Sequence, residues 1–335
     1  MRAIVQHEYG SAEVLRLAQV EPPEIRDHEV LIRVAAASVH AGDALLMQGL
    51  PRVMRLGTGL TRPRNQIPGL DVAGTIERVG AAVTRFAPGD AVFGNGRGTL
   101  AEFAAAKQDQ LAAKPAGLSF EQAAVLTVSG LTALKAMRDV GHVQAGQSVL
   151  VNGASGGIGV YAVQIAKALG AEVTGVCGPR NVDLVHSLGA DEVLDHTTTD
   201  FTLTGRRYDV ILDNVGNKSL RECRRVLAPR GTLMPNSGTG GGGWFGPLPR
   251  MGSATLHSVF TTQRLTVFLS IPNPADLAAL TDLVESGAVR PVISAMYPLA
   301  KAAEAMRIVA SRHTSGKVAI TVSAPDTGDN TPTTR

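Results

Sequence analysis

Val149-Leu-Val-Asn-Gly-Ala-Ser-Gly-Gly-Ile-Gly159 is the stretch that decides how this 335-residue chain folds. A short apolar strand, Ser148–Val151, runs straight into glycines. The glycines open a helix, Gly157–Leu169, with Ile158, Ala162, Ile165 and Leu169 on one face. The order has a physical reason. A tight turn needs glycine, and a pyrophosphate needs backbone without Cβ beside a helix N-terminus whose free N–H groups face the anion. Gly153, Ala154, Ser155, Gly156, Gly157 and Ile158 are the expected cradle, and Gly159 lets helix and strand pack closely. Ala154 stands where the first glycine of the common fingerprint falls.

Downstream, strand and helix signals keep alternating. Strand Glu172–Cys177, helix Asn181–Leu188, then Tyr208–Leu212, Ser219–Leu227 and Gly231–Met234 give a βαβαβ rhythm, hence a doubly wound parallel sheet. Such sheets bind ligand at the carboxyl ends of their strands, so Asn214-Val215-Gly216 is expected against the cofactor. Folds of this kind that prefer NAD place Asp or Glu about 20 residues after the glycines, for the ribose 2′-hydroxyl. Here the second strand ends in Cys177-Gly178-Pro-Arg180, with no acid. Arg180 offers a fork to a 2′-phosphate instead, so NADPH is expected over NADH.

Upstream the pattern differs. Met1–Gln6, Val30–Val39, Asp71–Val79 and Thr99–Lys107 read as short strands broken by Gly and Pro, without alternating helices. That predicts a small antiparallel barrel. The loop Met47–Pro68 carries Arg52, Arg55, Arg62 and Arg64 and no acid, either a solvated loop or a rim steering anions to a cleft. From about Leu118 the alternation starts, with Ser119 and Gln122 spaced as a capping box. After the sheet come a glycine run, Gly238–Gly243, then Trp244, Phe245 and Pro247, and a strand Arg264–Leu269. Trp244 and Phe245 are read either as a wall for a flat substrate or as a plug in a subunit contact. Helices near Ala275–Glu285 and Ala300–Ala310, a strand Lys317–Val322 and a polar tail, expected to be disordered, complete the chain.

Composition narrows the partners. Hydrophobic residues are 44%, enough to bury a core, and glycine is raised at 37 residues, in keeping with close backbone approach to a ligand. Aromatics are 4%, too few for base-stacking platforms, and 32 basic against 29 acidic residues leave a margin of only +3. No nucleic-acid partner is expected. Two cysteines, Cys177 and Cys223, build neither a disulfide scaffold nor a four-cysteine zinc lobe. With no signal-peptide core and no apolar run of membrane-spanning length, a cytoplasmic protein without membrane partners is expected.

These motifs, with Ala37-Ser-Val-His-Ala-Gly-Asp43, Pro68-Gly-Leu-Asp-Val-Ala-Gly74, Tyr208-Asp-Val-Ile-Leu-Asp-Asn-Val-Gly216 and Gly316-Lys-Val-Ala-Ile-Thr-Val322, resemble the zinc-independent, quinone-oxidoreductase-like branch of the medium-chain dehydrogenase/reductase superfamily (zeta-crystallin and reticulon-4-interacting types). The resemblance implies a GroES-like β-barrel substrate domain (1–120), a Rossmann NADP-binding domain (121–265), a segment returning to the substrate domain (266–322) and a tail (323–335). It also implies a homodimer. Zinc-dependent relatives supply catalytic ligands where this chain has His40, Leu70 and about Val125, of which only His40 coordinates, so no zinc and no other metal is expected. Without a Lewis acid, reduction of a quinone or activated enone is easier than oxidation of a plain alcohol.

The same resemblance places site residues. His40, where relatives carry Asn, and Asp43 are the catalytic candidates. Thr127 and Ser129 fall where relatives pass the nicotinamide. His196 aligns with a tyrosine near the adenosine phosphate, and Lys317 is a candidate for reaching cofactor phosphate, against the reading of a solvated strand-end lysine. Pro51 stands near a position where relatives have a substrate-facing Tyr. Three alternatives are weighed: a dedicated enoyl reductase with a larger substrate, a non-catalytic NADPH-binding protein, and a short-chain dehydrogenase using Tyr297-Pro-Leu-Ala-Lys301. The last needs Tyr and Lys one helical turn apart, which Pro298 disfavours.

Overall fold

The computed structural model describes residues 1–237, 242–246, 249–250, 252, 262–312 and 314–322. Most of the expected glycine run, Pro247 and the tail lie outside these residues.

A short antiparallel pair, β1 (Arg2–Val5) and β2 (Arg16–Gln19), leads into the first main sheet. Its strands are β3 (Glu29–Val39), β4 (Asp71–Val79), β5 (Ala91–Asn95), β6 (Phe103–Lys107) and β7 (Leu111–Ala113). The second sheet is parallel and contains β8 (Ser148–Asn152), β9 (Glu172–Cys177), β10 (Glu192–Asp195), β11 (Tyr208–Asp213), β12 (Leu227–Pro235) and β13 (Arg264–Leu265). The chain then returns. Strands β14 (Ile293–Pro298) and β15 (Lys317–Thr321) join the first sheet, with β15 antiparallel to β3.

The parallel sheet runs in the order β10-β9-β8-β11-β12-β13, so its switch point lies between β8 and β11. Both faces are covered. Val149 and Val151 enter one apolar cluster with the helix Gly159–Ala168, while Leu150 points to a second cluster with Phe201, Tyr208 and Ile211. The first sheet closes around a third cluster of Val30, Ile32, Val34, Val72 and Ile320.

One strand is shorter than expected. The strand expected over Arg264–Leu269 pairs with β12 only at Arg264 and Leu265. The helix Pro274–Glu285 buries Leu277 and Leu280 beside Leu131 and Leu134 of the helix Thr127–Leu134 and also packs on β7 of the first sheet. Gly130 leaves room for this, because a Cβ there would lie 3.0 Å from Leu280. Of the returning segment, β14 and β15 join the first sheet as strands. As Pro298 implies, Tyr297 lies in β14 opposite Ile320 and Lys301 ends a separate 3-10 turn, so the two share no helix.

Candidate active site

The glycine turn is built as the phosphate cradle requires. Gly153 has φ +81°, a left-handed conformation that suits glycine. A Cβ on Gly159 would sit 2.1 Å from the Gly153 carbonyl oxygen, so helix and turn approach as closely as backbone allows. Gly153 and Ala154 donate their N–H groups to Val176 O at 3.0 and 2.9 Å, which locks the turn to β9. Among the described residues the amides of Gly157 and Ile158 find no acceptor, and they lead into the helix Gly159–Ala168. Ser155 accepts from Gly316 N–H at 2.7 Å, tying the cradle to the strand that returns from the other sheet.

Across the switch point, Asp213 ends β11, fully buried. It accepts from Asn152 Nδ2 at 2.8 Å and from the N–H groups of Val215 and Gly216 at 3.3 and 2.9 Å, and it pairs with Arg250. Asn214-Val215-Gly216 is thereby held beside Gly153, whose Cβ would meet Val215 at 2.9 Å. Asn214 Oδ1 accepts from Asn236 Nδ2, while its own Nδ2 is buried without a partner. An unpartnered buried donor at the mouth of the cradle suits a bound polar ligand.

At the rim, Gly178 opens a 3-10 turn, Pro179–Asn181, that leaves Arg180 exposed. His196 donates its N–H to Cys177 O and its exposed ring lies beside Gly178. Burial pushes the Cys177 thiol up to about 11 and, in the core, the Cys223 thiol up to about 12, so both are fillers rather than thiolates.

The junction between the two sheets holds the charged groups. Lys317 is 2% exposed, not solvated. Its Nζ donates to Asp71 Oδ2 at 3.2 Å and to Ser129 Oγ at 3.1 Å, and its stem lies against Gly157. Asp71 also accepts from Ser38 Oγ at 2.7 Å and from Val128 N–H at 2.9 Å, capping the helix that begins at Thr127. Thr127 is fully buried and its Oγ1 has no partner.

His40 and Asp43 form a reciprocal cap on the helix Ala41–Gln48. The Asp43 carboxylate accepts from His40 N–H at 2.9 Å, and His40 Nδ1 accepts from Asp43 N–H at 3.2 Å. The second bond fixes the imidazole proton on Nε2, which is buried and unpartnered. Burial holds the Asp43 carboxyl above its ordinary value, against the pull of His40. Asp43 therefore acts through His40 and is no free acid or base.

Trp244 and Phe245 are 62% and 54% exposed. Trp244 lies against Arg52, whose guanidinium is 5.4 Å from its ring. Of the arginine loop, Arg55 is structural: it donates to Gly49 O and Gln48 O and covers Tyr9 at 4.3 Å. Arg52, Arg62 and Arg64 are exposed. Among the described residues no three His, Cys, Asp or Glu side chains converge as a metal site.

Sequence reading missed Asp71, Asp213, Asn152 and Arg250 as site-building residues. The available signal was charge inside apolar strands, in Leu-Asp71-Val and Leu-Asp213-Asn.

Residues 26–116 match the alcohol dehydrogenase GroES-like domain family, and residues 188–320 the zinc-binding dehydrogenase family. The chain is 33% identical over 334 residues to the chloroplastic quinone-oxidoreductase homolog of Spinacia oleracea, covering 96% of this chain and 98% of that one. It is 31% identical over 344 residues to the chloroplastic NADPH-dependent alkenal/one oxidoreductase of Arabidopsis thaliana, covering 96% and 79%. The solved quinone oxidoreductase from Coxiella burnetii superposes with a TM-score of 0.85 at 27% identity, covering 96% of this chain and 99% of that one.

Proposed function

The chain belongs to the medium-chain dehydrogenase/reductase family, among its quinone oxidoreductases, and on that premise we propose that it reduces a quinone or activated enone with NADPH. The observation that carries this reading is the set of unpartnered donors around the cradle: Gly157 and Ile158 amides, Asn214 Nδ2, Thr127 Oγ1 and His40 Nε2.

NADPH, when bound, supplies the hydride from its nicotinamide ring. The Gly157 and Ile158 amides and the helix behind them hold its pyrophosphate. Arg180 takes the 2′-phosphate, and Asn214 and Thr127 hydrogen-bond the nicotinamide half. As negative charge develops on the acceptor oxygen, it needs a fixed donor in a site poor in water. His40 Nε2–H is that donor, oriented by Asp43. No metal takes part, and the oxygen takes its final proton from water while His40 keeps its own. The protein is read as a cytoplasmic homodimer acting on a small molecule, without a nucleic-acid or membrane partner.

A second reading, an enoyl reductase with a larger substrate, draws on the exposed Arg52, Arg62, Arg64 and Trp244, a basic and aromatic margin suited to an extended anionic chain. One assay separates the two. Chelator-treated protein is mixed with 9,10-phenanthrenequinone and either NADPH or NADH, and cofactor absorbance is followed. Fast, chelator-resistant oxidation preferring NADPH supports the first reading. Tight NADPH binding without turnover on quinones points to the second, and silence on an enone panel as well to a non-catalytic binder.

A further inference from the structure

A cavity of about 550 Å³ opens on the parallel sheet, lined by Arg207, Arg221, Arg224 and Arg225 with Pro229, Thr262 and Gln263. It is not the cofactor cleft. Arg207 precedes β11, Pro229 lies near the start of β12, and Gln263 precedes β13, so the lining gathers at the amino ends of the strands. The cradle sits at their carboxyl ends, about 17 Å away along the six residues of β11.

Among the described residues the lining holds four arginines and no acidic residue. Neighbouring acids are committed elsewhere. Glu222 caps its own helix by accepting from the N–H and hydroxyl of Ser219, and Asp209 accepts from Ser148 N–H. Arg224 is held by Gln263 Oε1 at 3.0 Å. Helix polarity accounts for cations at the last turn of Leu220–Arg225. It does not account for Arg207, which comes from a different element. Four like charges around one hollow repel each other, and a concentrated anion relieves that repulsion. Planar forks match phosphoryl oxygens in pairs.

We propose that this cleft is a second anion site, for a soluble ligand bearing two or more phosphoryl groups. The test titrates inorganic tripolyphosphate by calorimetry into the full chain saturated with NADPH. One saturable site per chain is expected, weakening as salt rises. The R221A/R225A protein should lose about tenfold or more in affinity, while R221K/R225K, which keeps charge without the fork, loses less. NADPH oxidation should be unchanged in both. Absence of saturable binding, equal affinity in R221A/R225A, or displacement of NADPH by the probe would each overturn the proposal. So would binding confined to RNA or to anionic vesicles.

Discussion

Lys317 and Asp71, 246 positions apart in sequence, meet at 3.2 Å between Nζ and Oδ2 with both side chains buried. One stands on the last strand of the chain and the other opens β4, and around them gather Ser38, Ser129 and the amide that starts the helix at Thr127. The pair thus fastens the returning strand to β4 and, through Ser129, to the helix that begins at Thr127, with the lysine stem beside Gly157 of the cradle. Removing one partner strands a buried charge. K317M should destabilise the protein by about 3 kcal/mol in urea unfolding, and D71N/K317M should recover part of that. Equal stability of K317M and wild type would contradict this.

Gly159 has no room for a methyl group, with backbone 2.1 Å from its would-be Cβ. G159A must push the cradle away from the helix. We expect a loss of about 1–3 kcal/mol in stability and a weaker NADPH complex, read from unfolding and from cofactor fluorescence. An unchanged cofactor Kd would argue that the turn does not carry the phosphates.

Arg180 should set the choice between cofactors. A charge-assisted bond to a 2′-phosphate contributes about 1.5–3 kcal/mol, so R180A should lower kcat/KM for NADPH by about 10- to 100-fold. NADH, which lacks that phosphate, should be used as before. Equal losses with both cofactors would assign Arg180 a different role.

His40 both caps a helix and presents Nε2–H. Substitution by Ala removes both. H40N restores a good cap and offers a shorter amide donor. We expect kcat/KM for the quinone to fall by about 10²–10³ in H40A, with NADPH Kd unchanged and H40N intermediate. Full activity in H40A would remove His40 from the reaction.

Asp43 gives a pH signature. Burial raises its carboxyl in the folded state above the ordinary 3.8, so the native protein holds that proton more tightly than the unfolded chain does. Stability from this residue is therefore greatest at low pH and falls as pH rises through the window that begins near 3.8. D43N, which keeps an acceptor for His40 N–H, should gain on wild type across that window and then stay level. Parallel stability curves from about pH 3 to 8 would refute the assignment.

The sequence by itself determined what depends on near neighbours along the chain. Ser148–Val151 and the glycines after it can only be strand, turn and helix start, because backbone sterics and the alternation of apolar side chains act within a few residues. The absence of an acid after Cys177, and the presence of Arg180, are equally local. Tertiary structure alone decided what depends on meetings across the chain. Lys317 reads as a solvated strand end until β15 is placed beside β3 and its Nζ reaches Asp71. Asp43 reads as a catalytic candidate or a turn anchor until its carboxylate is seen closing the cap on His40. Arg207 stands apart in sequence from Arg221, Arg224 and Arg225, and the parallel sheet brings them around one hollow. A buried charge takes its role from the partner that folding brings to it, and no short window of sequence contains that partner.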